Sequence, residues 1–150
     1  MKKIMSVLLT LAMLVGLMPV MAVNAAWDGN SASSLTVQDG VYLISNAAEL
    51  KKANELITAN ANGEAAASYK LTANIDFENG EWVPIACANS FYGTFDGDNH
   101  TVKNLKITNS NLANFGFFGT TEQNAVIQNL GIENININKY KYICSVCRGQ

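Results

Sequence analysis

FYGTFDGDNHTVKNLKI (residues 91–107) is answered by FGFFGTTEQNAVIQNLGI (residues 115–132), and Asn104-Leu105-Lys106-Ile107 recurs 25 residues on as Asn129-Leu130-Gly131-Ile132. A period in the twenties, made of short alternating strands and glycine-bearing turns with no helical stretch between, reads as a coil repeat. Each coil is too small to bury its own apolar face and must stack on a neighbour. The stretch therefore predicts a mostly β protein, a short right-handed parallel β-helix or solenoid. The inward set is expected to be Phe95, Val102, Leu105 and Ile107, then Phe118, Ile127, Leu130 and Ile132, with Ile135 and Ile137 continuing between Asn134, Asn136 and Asn138. Equivalent residues of stacked coils lie about 4.8 Å apart. Asn104 above Asn129 would then form an amide ladder. Asparagine tolerates positive φ better than most residues, and Gly93, Gly97, Gly116 and Gly119 are expected to meet the same demand at coil corners.

Upstream of the repeat, Val41-Tyr42-Leu43-Ile44 reads as a strand. Asn46-Ala47-Ala48-Glu49 then has capping-box form, with Glu49 reaching back to the N–H of the cap residue. A helix over about 47–58 follows, its stripe of Leu50, Ala53, Leu56 and Ile57 lying opposite Lys51, Lys52 and Glu55. One apolar face just before the first coil suits an N-terminal cap, because a stack of coils exposes strand edges and an open core at each end. Residues 60–68 are small and polar, hence a loop. Tyr69, Leu71, Ala73, Ile75 and Phe77 alternate with polar residues and predict a single half-buried strand. Glu78-Asn79-Gly80 turns the chain and Trp82 to Ile85 crosses a corner.

The termini set the compartment. Lys2 and Lys3, an apolar run from Ile4 through Val20, and Val23-Asn24-Ala25 make a secretory signal over 1–25. A membrane anchor is the weaker reading, since Gly16 and Pro19 interrupt the run and no basic cluster follows it. The expected product is secreted or extracellular, associated with the cell wall at most, and has no stable membrane span after cleavage. It would consist of a flexible lead-in over 26–39, capped coils over 40–138 and an irregular tail over 139–150. Coil pattern stops at Ile137 and the tail has no cap signature, so a fragment or prematurely ended frame is expected, with an open last coil able to associate end to end.

Cleavage leaves 8 basic and 12 acidic residues, a net charge near −4, and Arg148 is the only arginine. That balance excludes a nucleic-acid module, which concentrates cations on one face. Cys87, Cys144 and Cys147 are an odd set for an exported chain. Cys144-Ser145-Val146-Cys147 has CxxC spacing but no second pair to complete a zinc site, and His100 is the only histidine.

Taken together, YKLTANIDFENGEWVPIA (residues 69–86) and the two repeats resemble the opening coils of bacterial cell-surface proteins with GLUG-type repeats. These include the β-helical region that precedes immunoglobulin A-cleaving metallopeptidases. The resemblance rests on Tyr69, Leu71, Ile75, Asp76, Phe77, Trp82, Pro84, Ile85, Phe91, Gly93 to Gly97, His100, Thr101, Asn104, Leu105 and Ile107, then on Phe115, Gly116, Phe118, Gly119, Ile127, Asn129 and Leu130. Asn74, Ala86 and Asn99 depart from it, standing where that pattern has Asp, Gly and Gly; Ala86 weakens the corner after Pro84. The resemblance implies a stalk or adhesive module that presents a surface to carbohydrate or to a host or cell-surface protein. Peptidase activity does not carry over, because the chain has no HExxH.

Asp96 and Asp98 stand two apart, as a glycosidase pair could. The Phe95-Asp96-Gly97-Asp98-Asn99-His100 context favours turn carboxylates that cap backbone N–H groups. Asp76, Glu78, Asp96 and Asp98 offer hard oxygens for calcium but too few for its shell. Trp82, Phe91 and Tyr92 could form a sugar platform, although a Trp beside Pro84 fits a core plug better. The expectation is therefore no catalytic residue, no cofactor and no metal ligand. The alternatives are a carbohydrate-active β-helix enzyme fragment, and a ligand-free spacer in which Lys103 and Lys106 affect only solubility.

Overall fold

The computed structural model describes residues 27–109 and 111–138. The signal segment, the tail over 139–150, Cys144, Cys147 and Arg148 lie outside the described residues. Within them the protein is mostly β with a single α-helix.

Strands β1 (Thr36–Gln38) and β2 (Val41–Ile44) form an antiparallel hairpin about Asp39 and Gly40. Both turn residues have positive φ, 51° and 79°, the backbone that lets a two-residue loop follow strand twist. The 26–39 lead-in is thus partly structured, contributing both β1 and Trp27, whose ring meets Phe77 edge-on at 4.8 Å.

Helix α1 (Ala47–Ala59) starts where the sequence predicts. The Asn46 side chain accepts from Glu49 N at 2.9 Å. The Glu49 carboxylate reaches one residue further back than a capping box requires, accepting from Ser45 N at 2.7 Å and Ser45 Oγ at 2.8 Å. Asn60 ends the helix in the left-handed region at φ 45°. Its inward stripe is Ala47, Leu50, Ala53, Asn54 and Ile57, while Leu56 is only half-buried. The polar Asn54 is admitted because its Nδ2 donates to Val83 O at 2.7 Å and its Oδ1 accepts from Thr58 Oγ1 at 3.3 Å. The predicted loop after the helix contains a single 3₁₀ turn, Glu64–Ala66.

Beyond it come β3 (Ser68–Leu71), β4 (Ile75–Asp76), β5 (Thr94–Asp96), β6 (Thr101–Lys103), β7 (Lys106–Ile107), β8 (Val126–Gln128), β9 (Gly131–Glu133) and β10 (Asn136–Ile137). They form three sheets: β1-β2-β3-β5-β8, β4-β6-β9 and β7-β10. Every pair except β1/β2 is parallel. The first sheet places Tyr42, Tyr69, Phe95 and Ile127 in one row. The second aligns Ile75, Val102 and Ile132, and the third aligns Ile107 with Ile137.

This register overturns two sequence expectations. The predicted strand over 69–77 is two strands in different sheets, broken at Thr72 to Asn74, where Thr72 N donates to Ile44 O at 2.8 Å. Alternation survives the break because the corner turns without changing which side chains point inward: Tyr69, Leu71, Ile75 and Phe77 are all buried, and Ala73 only half-buried. The 25-residue repeat, moreover, is not the stacking period. Lys103 lies beside Glu133 and Lys106 beside Asn136, both 30 residues on, so the layer above Asn104 holds Asn134. Asn129 follows Asp96's partner Gln128 and stacks over Gly97. The two Asn-Leu motifs occupy different corners of the stack.

Asparagine meets the demand for positive φ at the corners, and the four repeat glycines do not share it. Asn79, Asn99, Asn104, Asn129 and Asn134 hold positive φ, together with Glu78, Asp98 and Ala86. Gly93, Gly97, Gly116 and Gly119 do not. What Gly97 supplies is clearance, since a Cβ there would overlap Asn129 O, and one at Gly93 would overlap Ala67 O. Ala86, the departure from the repeat pattern, forms its corner at φ 57° while fully buried.

The core runs from α1 through the first layers: Ile44, Leu50, Ile57, Tyr69, Leu71, Ile75, Phe77, Trp82, Phe91, Phe95, Val102, Leu105 and Ile107. Phe95, Val102, Leu105 and Ile107 are inward as predicted. In the last layer Phe117 is the buried ring and Phe118 is half-buried, while Leu130 and Ile132 pack only partly. Ile127 and Ile137 remain 43% and 44% exposed.

Candidate functional site

The left-handed corners project a set of carboxylates and amides linked from layer to layer. Asp76 Oδ1 accepts from Asn104 Nδ2 at 2.7 Å, and Asn104 Oδ1 accepts from Asn134 Nδ2 at 3.3 Å. The ladder therefore runs Asp76, Asn104, Asn134, not Asn104 to Asn129. A second one rises from Asp96, whose oxygens accept from Gln128 Nε2 at 2.9 Å and Asn129 Nδ2 at 3.1 Å. Each Asp also caps its own turn, Asp76 from Glu78 N and Asp96 from Asp98 N, both at 2.8 Å.

These bonds fix the charge state. Asn104's amide, the Glu78 N–H and Lys103 hold the Asp76 carboxyl below its ordinary range. The Asp98 N–H, then Gln128 and Asn129, do the same for Asp96. Lys103 Nζ sits 3.2 Å from Asp76 Oδ2, so Lys103 has a partner that a pure solubility role would not need. Lys70 Nζ sits 3.0 Å from Asp98 Oδ2.

The candidate catalytic, metal-binding and sugar-binding residues are dispersed. Asp96 and Asp98 belong to one turn, and their carboxylates are taken up by the amides and by Lys70. Among the described residues, no group of three or more His, Cys, Asp or Glu is placed to hold a metal ion. The backbone of His100 closes its turn, its N–H donating to Gly97 O at 2.8 Å and its carbonyl accepting from Gly131 N at 3.0 Å. Trp82 and Phe91 do not form a platform with Tyr92. Trp82 is buried, stacks on Phe117 at 5.3 Å and donates from Nε1 to Phe117 O at 3.1 Å; Phe91 is fully buried. Tyr92 alone is exposed. Cys87 is a free, half-buried thiol.

One site escapes the sequence reading. A groove of about 550 Å³ lies between Trp27, the first turn of α1 and the corner over 74–78. Its polar residues include Asp28, Asn46, Asn74, Asp76 and Glu78. A lone tryptophan in the Ser- and Asn-rich lead-in was the available signal, but nothing local in the sequence shows that Trp27 meets residues some 50 positions away.

No family model matches the chain, and no solved structure gives a significant match. It is similar to Halomucin of Haloquadratum walsbyi (strain DSM 16790 / HBSQ001), at 30% identity over 129 residues. The aligned region covers 77% of this chain and 1% of that protein, so the chain spans about a hundredth of the length of the curated relative it matches. No helix among the described residues is long and apolar enough to cross a membrane.

Proposed function

We propose that the chain is a non-enzymatic module displayed outside the cell: a short right-handed parallel β-helix, capped at its first end by α1, whose surface is presented to carbohydrate or protein. The observation that carries this reading is the parallel register. Tyr69, Phe95 and Ile127 align in one sheet while Ile75, Val102 and Ile132 align in another, so each circuit of the chain adds one strand to each of these two sheets. That is how a solenoid grows, and it accords with the resemblance to GLUG-repeat surface proteins, in which such coils build stalks and adhesive faces. The secretory signal read over 1–25 and the likeness to a protein named Halomucin support an extracellular setting. The Asp and Asn ladders support presentation over catalysis, since the Asp76 and Asp96 carboxylates are occupied by amides of the next layer.

Display is tested by protease shaving of intact cells that express the full chain. Loss of the chain with a cytosolic marker intact is the expected result. Retention until the cells are lysed contradicts it. Hydrolase and lyase assays on polysaccharides with the wild type and Asp96→Asn address the enzyme alternative: turnover that disappears in the variant would replace the present reading.

A further inference from the structure

The groove at the capped end has the make-up of a sugar site. Its aromatic wall is held rigidly. Trp27 meets Phe77 edge-on, donates from Nε1 to Asn30 O at 2.9 Å, and lies so close over Gly80 that a Cβ there would strike its six-membered ring. Lys51 Nζ lies over the indole, 5.8 Å from its centroid, and donates to Gly29 O at 2.6 Å; the half-buried ring lines the groove.

The polar groups around it divide into engaged and free. Asp28 accepts from Asn30 N and Nδ2, Asp76 from Glu78 N, Asn104 and Lys103, and Asn46 Oδ1 from Glu49 N. Among the described residues, groups lining the groove that have no protein partner include the N–H groups of Ala47 and Ala48, the NH₂ of Asn74 and the carboxylate of Glu78. Asn74 Oδ1 is fixed by Thr101 N at 2.9 Å, which sets the orientation of its free NH₂.

We propose that this groove binds a neutral glycan, one pyranose lying against Trp27 with its hydroxyls shared between Asn74 and Glu78. The inference rests on the carbohydrate branch of the function proposed above and assigns its site. Free donors and a free acceptor in one groove suit hydroxyls, which both donate and accept. A pyranose adds an apolar C–H face for the indole, in keeping with pockets that pair aromatic walls with a few placed polar groups. Anionic ligands face Asp28, Asp76 and Glu78 at close range. A purely apolar ligand would leave the free N–H and carboxylate groups dry.

The test is titration of the full chain with cellotriose, mannotriose and N,N′,N″-triacetylchitotriose, followed by tryptophan emission and calorimetry. Trp82 is buried, so an emission change reports Trp27. At least one trisaccharide is expected to bind. Asn74→Asp keeps the acceptor for Thr101 while removing the NH₂, and Glu78→Gln keeps the side-chain shape. Each should weaken binding several-fold with an unchanged melting temperature, and Trp27→Ala should weaken it about tenfold or more. Binding of none of the three sugars, or of a lysine-rich peptide in their place, overturns the proposal. Sugar binding that survives Asn74→Asp and Glu78→Gln unchanged also overturns the site, while leaving the presenting-module reading intact.

Discussion

At the scale of single residues, the fold depends on side chains that accept a left-handed backbone and bond to the next layer at once. Asn104 does both, at φ 59° with amide contacts to Asp76 and Asn134. Replacing it with Ala forfeits the contacts and adds the Cβ penalty of that conformation, whereas Gly forfeits the contacts alone. Asn104→Ala is therefore expected to cost about 2 kcal/mol and Asn104→Gly about half that, measured by urea unfolding. Equal costs would mean that the corner φ is not what selects asparagine. The aspartates of the ladders add a pH dependence. Their carboxyls are held below the ordinary value of 3.8, so the folded chain binds fewer protons than the unfolded chain near that pH. The stability they contribute is complete above the unfolded value and is lost as pH falls through the lower folded values. A variant carrying Asp76→Asn and Asp96→Asn should be less stable near neutrality and show a flatter decline in urea midpoint from about pH 6 to about pH 2. An acid limb as steep as that of the wild type would place the responsible carboxylates elsewhere. Which residue type takes positive φ was only half legible in the sequence: glycine and asparagine both permit it, and only the approach of the next layer, as at Gly97 and Asn129, shows which position needs clearance instead.

At the scale of elements, the helix was the most legible part, because its cap and its apolar stripe are local signals that packing had no reason to override. Asn54 is the exception, buried because a carbonyl 29 residues away, Val83 O, needs its amide. The strands were legible by face and illegible by boundary: inward residues alternate straight through the Thr72 to Asn74 corner, so periodicity could not show that β3 and β4 belong to different sheets. The Asn-Leu repeat misled for a related reason, since every corner makes the same demand and a similarity between corners resembles one between coils. Phe95 and Ile127 are stacked partners in one row, yet Phe95 is enclosed and Ile127 is largely open. Phe95→Ala is expected to cost about 3–5 kcal/mol by chemical denaturation. Ile127→Ala is expected to cost about 1 kcal/mol or less, because little apolar surface there leaves water on folding. A comparable loss at both positions would show that Ile127 is covered in solution.

At the scale of the whole molecule, the two ends of the stack are unlike. On the first side, Leu50, Ala53 and Ile57 of α1 fill the core, and β1 lies antiparallel along β2 as the edge strand of its sheet, with Val37 exposed on it. On the far side, among the described residues, no strand pairs with the outer edges of β8, β9 or β10, and Val126, Ile127 and Ile137 are exposed there. Edges of this kind recruit further strands unless they are covered. With α1 over the core at the first end, head-to-tail addition would set the far end against the helix rather than against open core, and open filaments require such a heterologous contact repeated at both ends. Association is expected through the far ends of two copies meeting about a two-fold axis, which closes after one step. Light scattering of the full chain over rising concentration should pass from monomer to dimer and stop there, and Ile127→Lys, which sets two like charges against each other across such an axis, should hold it at monomer. Growth beyond the dimer would mean that the β1 edge at the first end also recruits a copy. A monomer throughout would mean that the edges of β8, β9 and β10 are already satisfied.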